Sequence, residues 1–137
     1  MPIDIKYSVD IKYPVFVYGT LKKGYALHSV LKNATFLGKS TMEGTLINLG
    51  PFPALLRVVK ASSPGVVKGE LYKINSSVLA ALDIVEAEGH LYNRVMVKTT
   101  GGMAWTYELR EVPDNWGNSI IESGEWTNEN AHKDIAI

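Results

Sequence analysis

Two short stretches of this chain combine residue types that can carry proton and acyl chemistry. In the first, the apolar run Val15-Phe16-Val17-Tyr18 stops at Gly19-Thr20-Leu21, with a second glycine at Gly24. A β-branched and aromatic run cut by glycine is a strand delivering a backbone turn. Gly19 removes a side chain where a ligand would approach, and the amides that follow have no strand partner. Such free N–H groups can hold a carboxylate or a carbonyl oxygen. In the second stretch, Leu82-Asp83-Ile84-Val85-Glu86 closes a helical pattern and is followed by Tyr92-Asn93-Arg94. On a helical wheel Glu86 lies beside Leu79 and Leu82. A carboxylate at the edge of an apolar stripe loses hydration, which disfavours its charge and raises its pKa, and that prepares it for proton exchange near neutrality. The alternative is a glutamate that bends outward to water. Glu88 falls on the opposite side of the wheel as a solvated charge, and Asp83 lies nearer the buried edge, where it can brace the helix or the loop.

These residues need elements to position them. Asn75-Ser76-Ser77 is a helix start, because such side chains accept from free backbone amides, and the helix is expected from Val78 to Ala87, ended by Gly89. A short helix is expected from Leu27 to Leu31. Strands are expected at Thr35–Leu37, Met42–Asn48, Leu55–Val59, Val66–Ile74, Arg94–Thr99 and Ala104–Leu109. Gly101-Gly102 makes a hairpin turn between the last two. Strands dominate, so the fold class is α+β around a curled sheet. The first residues contain a near-repeat, Asp4-Ile5-Lys6-Tyr7-Ser8-Val9 followed by Asp10-Ile11-Lys12-Tyr13-Pro14-Val15. Its apolar residues occupy odd positions, the pattern of a half-buried strand. It is either a short duplication that frays or adds an edge strand, or a strand that supports self-association as a homodimer.

The motifs Tyr18-Gly19-Thr20-Leu21, Leu82-Asp83-x-x-Glu86 and Tyr92-x-Arg94 together resemble the gamma-glutamylcyclotransferase-like family, particularly its gamma-glutamylamine cyclotransferase branch. Weaker echoes follow in the family's order: Gly44-Thr45-Leu46, Pro51-Phe52-Pro53, Val67-Lys68-Gly69-Glu70-Leu71-Tyr72 and Ser123-Gly124-Glu125-Trp126. The resemblance covers residues 14 to 127, leaving 1–13 as an extension and 128–137 as a polar tail. It implies a small mixed β-barrel with a few short helices and a cavity at one mouth. It also implies a cofactor-independent reaction, in which the α-amine of a gamma-glutamyl group attacks its own γ-carbonyl and releases 5-oxoproline and an amine. Glu86 would move the proton between the two nitrogens, and the backbone of Tyr18, Gly19, Thr20 and Leu21 would cradle the glutamyl end. Tyr92 and Tyr107 match tyrosines that line the pocket in relatives; either hydroxyl would orient Glu86, bond the substrate, or sit at the edge of a core. Arg94 is expected to pair with a carboxylate and anchor its strand; the alternative is that it binds the substrate carboxylate. Pro51-Phe52-Pro53 is a pocket wall or a rigid surface turn.

Composition narrows the field. A chain of 137 residues, 46% hydrophobic and 20% charged, can bury a core as one domain without metal or disulfide. Fourteen basic and fourteen acidic residues give zero formal net charge, so nothing favours nucleic acid or an anionic membrane as partner. The absence of cysteine excludes thiol nucleophiles, disulfides and cysteine-bound zinc. His28, His90 and His132 lack ligand spacing with any carboxylate, so no metal is expected. No serine sits in a nucleophile-elbow pattern, no glycine run has phosphate-loop spacing, and Trp105, Trp116 and Trp126 are read as packing residues. No apolar run approaches the ~20 residues of a membrane span and the first residues do not form a signal peptide, so a cytoplasmic protein is expected. The rival from another class is a binding module that uses the same cavity for a small acidic metabolite or a peptide end.

Overall fold

The computed structural model describes residues 11–25, 27–57, 65–86 and 91–127. The apolar run opening the first motif forms β1 (Lys12–Val17), the middle of a five-stranded mixed sheet among the described residues. On one side β1 pairs antiparallel with β5 (Val66–Asn75), from Lys12↔Asn75 to Val17↔Glu70. On the other it runs parallel to β7 (Gly102–Leu109), with Val15 opposite Trp105. The edges are β2 (Thr35–Glu43), antiparallel to β5, and β6 (Tyr92–Thr99), antiparallel to β7. A two-stranded ribbon, β3 (Thr45–Asn48) and β4 (Pro53–Leu56), packs against this sheet. One helix, α1 (Ser76–Val85), follows β5 directly.

The second half of β1, Val15–Val17, is continuously apolar because both of its faces are buried. Val15 and Val17 join a core with Leu79 and Leu82 of α1 and with Ile47, Leu56 and Tyr72. Phe16 and Tyr18 point the other way, into a second core with Leu46, Leu55, Val67, Leu71 and Trp126. The ribbon serves both, since Leu55 faces one core while Ala54 and Leu56 face the other. α1 starts as the sequence requires: the Asn75 side chain accepts from the Val78 amide at 2.9 Å. Such a cap contributes about 1 kcal/mol.

The structure differs from the expected elements in several places. Among the described residues the barrel is an open, curled sheet: β2 and β6 do not pair with each other as strands, and they are joined at one end, where the Thr100 amide donates to the Thr41 carbonyl at 2.9 Å. The strand expected at Thr35–Leu37 continues to Glu43, bulged between Phe36 and Gly38, and Gly44 separates it from β3. The segment after Leu27 is a single 3-10 turn, His28–Leu31, and a second one at Trp116–Ser119 was not foreseen. β4 begins at Pro53, two residues before the expected start. Lys12 and Tyr13 already belong to β1, while the rest of the N-terminal repeat through Asp10, the helix end at Gly89 and the tail 128–137 lie outside the described residues. Among the described residues no helix is long and apolar enough to cross a membrane.

Candidate active site

The end of β1, the end of α1, the start of β6 and the β3–β4 ribbon converge on one cavity of about 340 Å³. Tyr18, Gly19, Thr20, Leu21, Glu86, Tyr92 and Tyr107 all line it, so every residue singled out from the sequence as a site candidate meets there. Pro51, Phe52 and Pro53 form part of its wall. Sequence reasoning did not anticipate the contributions of Leu27, Val85 and Leu91, which line the same cavity. Their signal was faint: three apolar residues beside a turn or a helix end, without periodicity to place them.

The turn is held by its own backbone. The Lys22 amide donates to the Gly19 carbonyl at 3.0 Å, and the Leu27 amide reaches back to the Thr20 carbonyl at 2.8 Å. His28 Nδ1 donates to the Leu21 carbonyl at 2.9 Å. The carbonyls of Gly19, Thr20 and Leu21 are thereby engaged, while their N–H groups make no hydrogen bond among the described residues. Gly19 is required by a close approach: a Cβ there would lie 2.8 Å from Pro53 Cγ and 3.0 Å from Pro53 Cδ. Lys22, only 5% exposed, donates Nζ to the Trp126 carbonyl at 2.7 Å, and burial pushes its ammonium pKa down.

Three tyrosines tie the walls together. Tyr18 donates to the Tyr107 carbonyl at 2.6 Å and accepts from the Leu55 amide at 3.2 Å. Tyr107 donates to Asp83 Oδ1 at 2.6 Å, and Tyr92 donates to the Pro53 carbonyl at 2.9 Å. Neither Tyr92 nor Tyr107 donates to Glu86; their hydroxyl protons brace the helix and the ribbon, and their oxygens remain able to accept. Burial raises the phenols of Tyr18, Tyr92 and Tyr107, and the nearby Glu86 charge adds to the rise in each. Asp83 also meets Arg94, with Nη1 to Oδ2 at 3.5 Å, and the guanidinium lies 4.8 Å from the centre of the Trp105 ring. Arg94 therefore pairs with a carboxylate, as its position after Tyr92 suggested, and does not line the cavity.

Glu86 caps the C-terminus of α1, its amide bonded to the Leu82 carbonyl at 2.9 Å. Its half-buried side chain has no ion pair or hydrogen bond among the described residues. Burial pushes its carboxyl up to about 7. A carboxyl poised there takes and returns a proton at neutral pH. In the same cavity, the unengaged amides of the Gly19–Leu21 turn can receive developing negative charge on an oxygen.

Comparison with known proteins shows the family. The family model described as gamma-glutamyl cyclotransferase, AIG2-like, matches residues 15–128. The Escherichia coli K12 protein YtfP, named as a gamma-glutamylcyclotransferase family protein, is 34% identical over 113 residues, 82% of this chain and 94% of its own. The crystal structure of the Pyrococcus horikoshii protein PH0828 superposes with a TM-score of 0.72 at 29% identity, covering 88% of this chain and 95% of that one. A mouse AIG2-like protein shares the fold, with a TM-score of 0.76 at 24% identity, over 89% of this chain and 92% of its own. The Tyr-Gly-Thr-Leu turn and the Glu86 helix end open onto one cavity within the matched span, and the chain belongs to the gamma-glutamyl cyclotransferase, AIG2-like family.

Proposed function

We propose that this protein is a cyclotransferase that cleaves a gamma-glutamyl amine or amide by intramolecular attack, with Glu86 as the general acid and base. The neutral α-amine of the substrate attacks its own γ-carbonyl, forming the new N–C bond of a five-membered ring. The carbonyl oxygen becomes an oxyanion, held by the amides that follow Tyr18. Glu86 takes the proton from the attacking nitrogen and gives it to the leaving nitrogen as the old C–N bond breaks. The products are 5-oxoproline and a free amine, and the protons balance without any other reactant.

Both reacting groups belong to one molecule, so no covalent enzyme nucleophile is needed. Holding a near-attack shape contributes up to ~7–11 kcal/mol in the best intramolecular cases. One observation carries the reading: a carboxyl with a pKa near 7 shares a small, largely apolar cavity with a turn whose amides are unengaged. Tyr92 and Tyr107 serve as substrate-facing walls whose oxygens accept.

The test is release of 5-oxoproline from gamma-glutamyl compounds, including gamma-glutamyl-ε-lysine and gamma-glutamyl-alanine, by wild type and Glu86→Gln. Glutamine keeps the volume and loses the exchangeable proton, so kcat is expected to fall by ~10²–10⁴ with the circular dichroism unchanged. A folded Glu86→Gln that turns over at the wild-type rate overturns the assignment.

A further inference from the structure

The cavity changes character from floor to mouth. Its floor is closed by side chains that are almost wholly buried: Phe16, Val17, Tyr18 and Tyr107. Its mouth carries large apolar side chains in contact with water. Leu27 is 38% exposed, Val85 38% and Leu91 40%, and all three line the cavity. The half-buried ring of Phe52 completes the collar, its centre 6.5 Å from that of Tyr92. Single exposed apolar side chains need no explanation, but several of them lining one cavity mark a place where apolar surface is covered in use. Among the described residues Glu86 is the one charged side chain lining the cavity.

We infer that the substrate's leaving group is an uncharged amine bearing an apolar chain, which seats against Leu27, Phe52, Val85 and Leu91. This rests on the cyclotransferase reading, because that reading fixes the direction of the substrate. The glutamyl end carries an amine and a carboxylate and belongs on the amides of the Gly19–Leu21 turn. The scissile nitrogen must then stand within reach of Glu86, and what it bears can only continue outward, since the floor is filled. A leaving amino acid would bring its carboxylate toward the Glu86 charge, and no cation among the described residues lines the way. A diamine would strand its second charge among leucine, valine and phenylalanine side chains. An alkyl or aryl chain covers the collar and meets no unpaired charge.

The decisive measurement has a binding arm and a turnover arm. N-alkyl glutaramates are gamma-glutamyl amides without the α-amine, so they bind but cannot cyclise. Titration calorimetry on the N-ethyl, N-butyl and N-hexyl compounds is expected to show Kd falling by about fourfold per methylene until the collar is covered. Carboxyalkyl and aminoalkyl analogues of equal length are expected to bind at least about tenfold more weakly. In the turnover arm, kcat/KM for gamma-glutamyl-butylamide is expected to exceed that for gamma-glutamyl-alanine by about tenfold or more. Leu91→Lys, which puts a cation on the collar, is expected to shift that ratio toward gamma-glutamyl-alanine. A Kd series independent of chain length, or alanine and butylamide substrates turned over equally, overturns the inference and leaves the cyclotransferase reading intact. A falling Kd series without 5-oxoproline from any amide sustains the apolar collar and overturns the reading on which the leaving group was assigned.

Discussion

Glu86 is held at the edge of its ionised range by burial alone, and the sign of the effect has two consequences. Its folded pKa, about 7, lies above the ordinary carboxyl value of 4.5. Between those values the folded protein binds more protons at this site than the unfolded chain, so Glu86 costs stability as pH rises through that window, and above it the cost is complete. The cost is on the order of 1–3 kcal/mol for a shift of this size in a half-buried group. Glu86→Gln is therefore expected to be more stable than wild type at pH 8 and equal to it below pH 4.5, read from urea midpoints at each pH. A stability gap that does not narrow on acidification would mean the carboxyl is not shifted. Under the proposed mechanism the rate follows the same ionisation: kcat/KM of the wild type is expected to rise through an apparent pKa near 7 as the base form appears. The sequence drew attention to this residue through the Leu82-Asp83-x-x-Glu86 motif, and its position beside Leu79 and Leu82, both core residues, accounts for its burial. It did not foretell the partners of Tyr92 and Tyr107, since Pro53, Asp83 and both tyrosines come together only through long-range packing.

At the scale of elements, the turn after β1 and the ribbon β3–β4 act as one unit. Pro53 lies against Gly19 on one side and accepts from Tyr92 on the other, so the ribbon transmits its position to the turn. Gly19→Ala sets a methyl group against a stiff proline ring. Relief requires moving the turn or the ribbon, a cost of about 1–3 kcal/mol. Because either motion displaces the amides proposed to hold the oxyanion, kcat is expected to fall by at least about tenfold, more than KM changes. An alanine variant with wild-type kinetics would show that the turn's geometry is not what matters. The glycine and the helix end were legible from local chemistry: a strand broken by glycine, and an asparagine cap opening an amphipathic run. Element boundaries around β2 were not, because its first half is exposed at Phe36 and Leu37 while only Ser40 and Met42 are buried. A bulged edge strand has no clean alternation for the eye to follow. Trp126, near the end of the matched span, was placed correctly as packing, and the backbone explains its motif: a Cβ on Gly124 would collide with the Val66 carbonyl, so only glycine lets this segment lie on β5.

The molecule as a whole is a sheet that curls almost far enough to close and is fastened at one end. The expectation of a barrel captured the curl but not the opening, since strand pairing between β2 and β6 depends on register, which local sequence does not carry. The fastening is the Thr99–Gly102 end of the β6–β7 hairpin. Beyond the Thr100 amide on the Thr41 carbonyl, Thr100 Oγ1 accepts from the Thr41 amide at 3.0 Å and lies 2.9 Å from Ser40 Oγ. Ser40 Oγ in turn accepts from the Gly101 amide at 3.1 Å. The candidate site lies at the other end of this hairpin, where Tyr92 pairs with Leu109, and Thr100 does not line the cavity. Thr100→Ala keeps the backbone bond and deletes the hydroxyl, at a net cost of about 1 kcal/mol for contacts that are partly solvated. In a domain of this size that lowers Tm by about 3–5 °C. Thr100→Ser retains the oxygen and is expected to recover most of the loss. Turnover of any accepted gamma-glutamyl amide at 25 °C is expected to stay within about twofold of wild type in both variants. If Thr100→Ala unfolds with wild type, the two edges are held by side-chain packing rather than by the clasp. If its turnover falls with its Tm, the curl of the sheet reaches the cavity and the two ends of the hairpin are coupled.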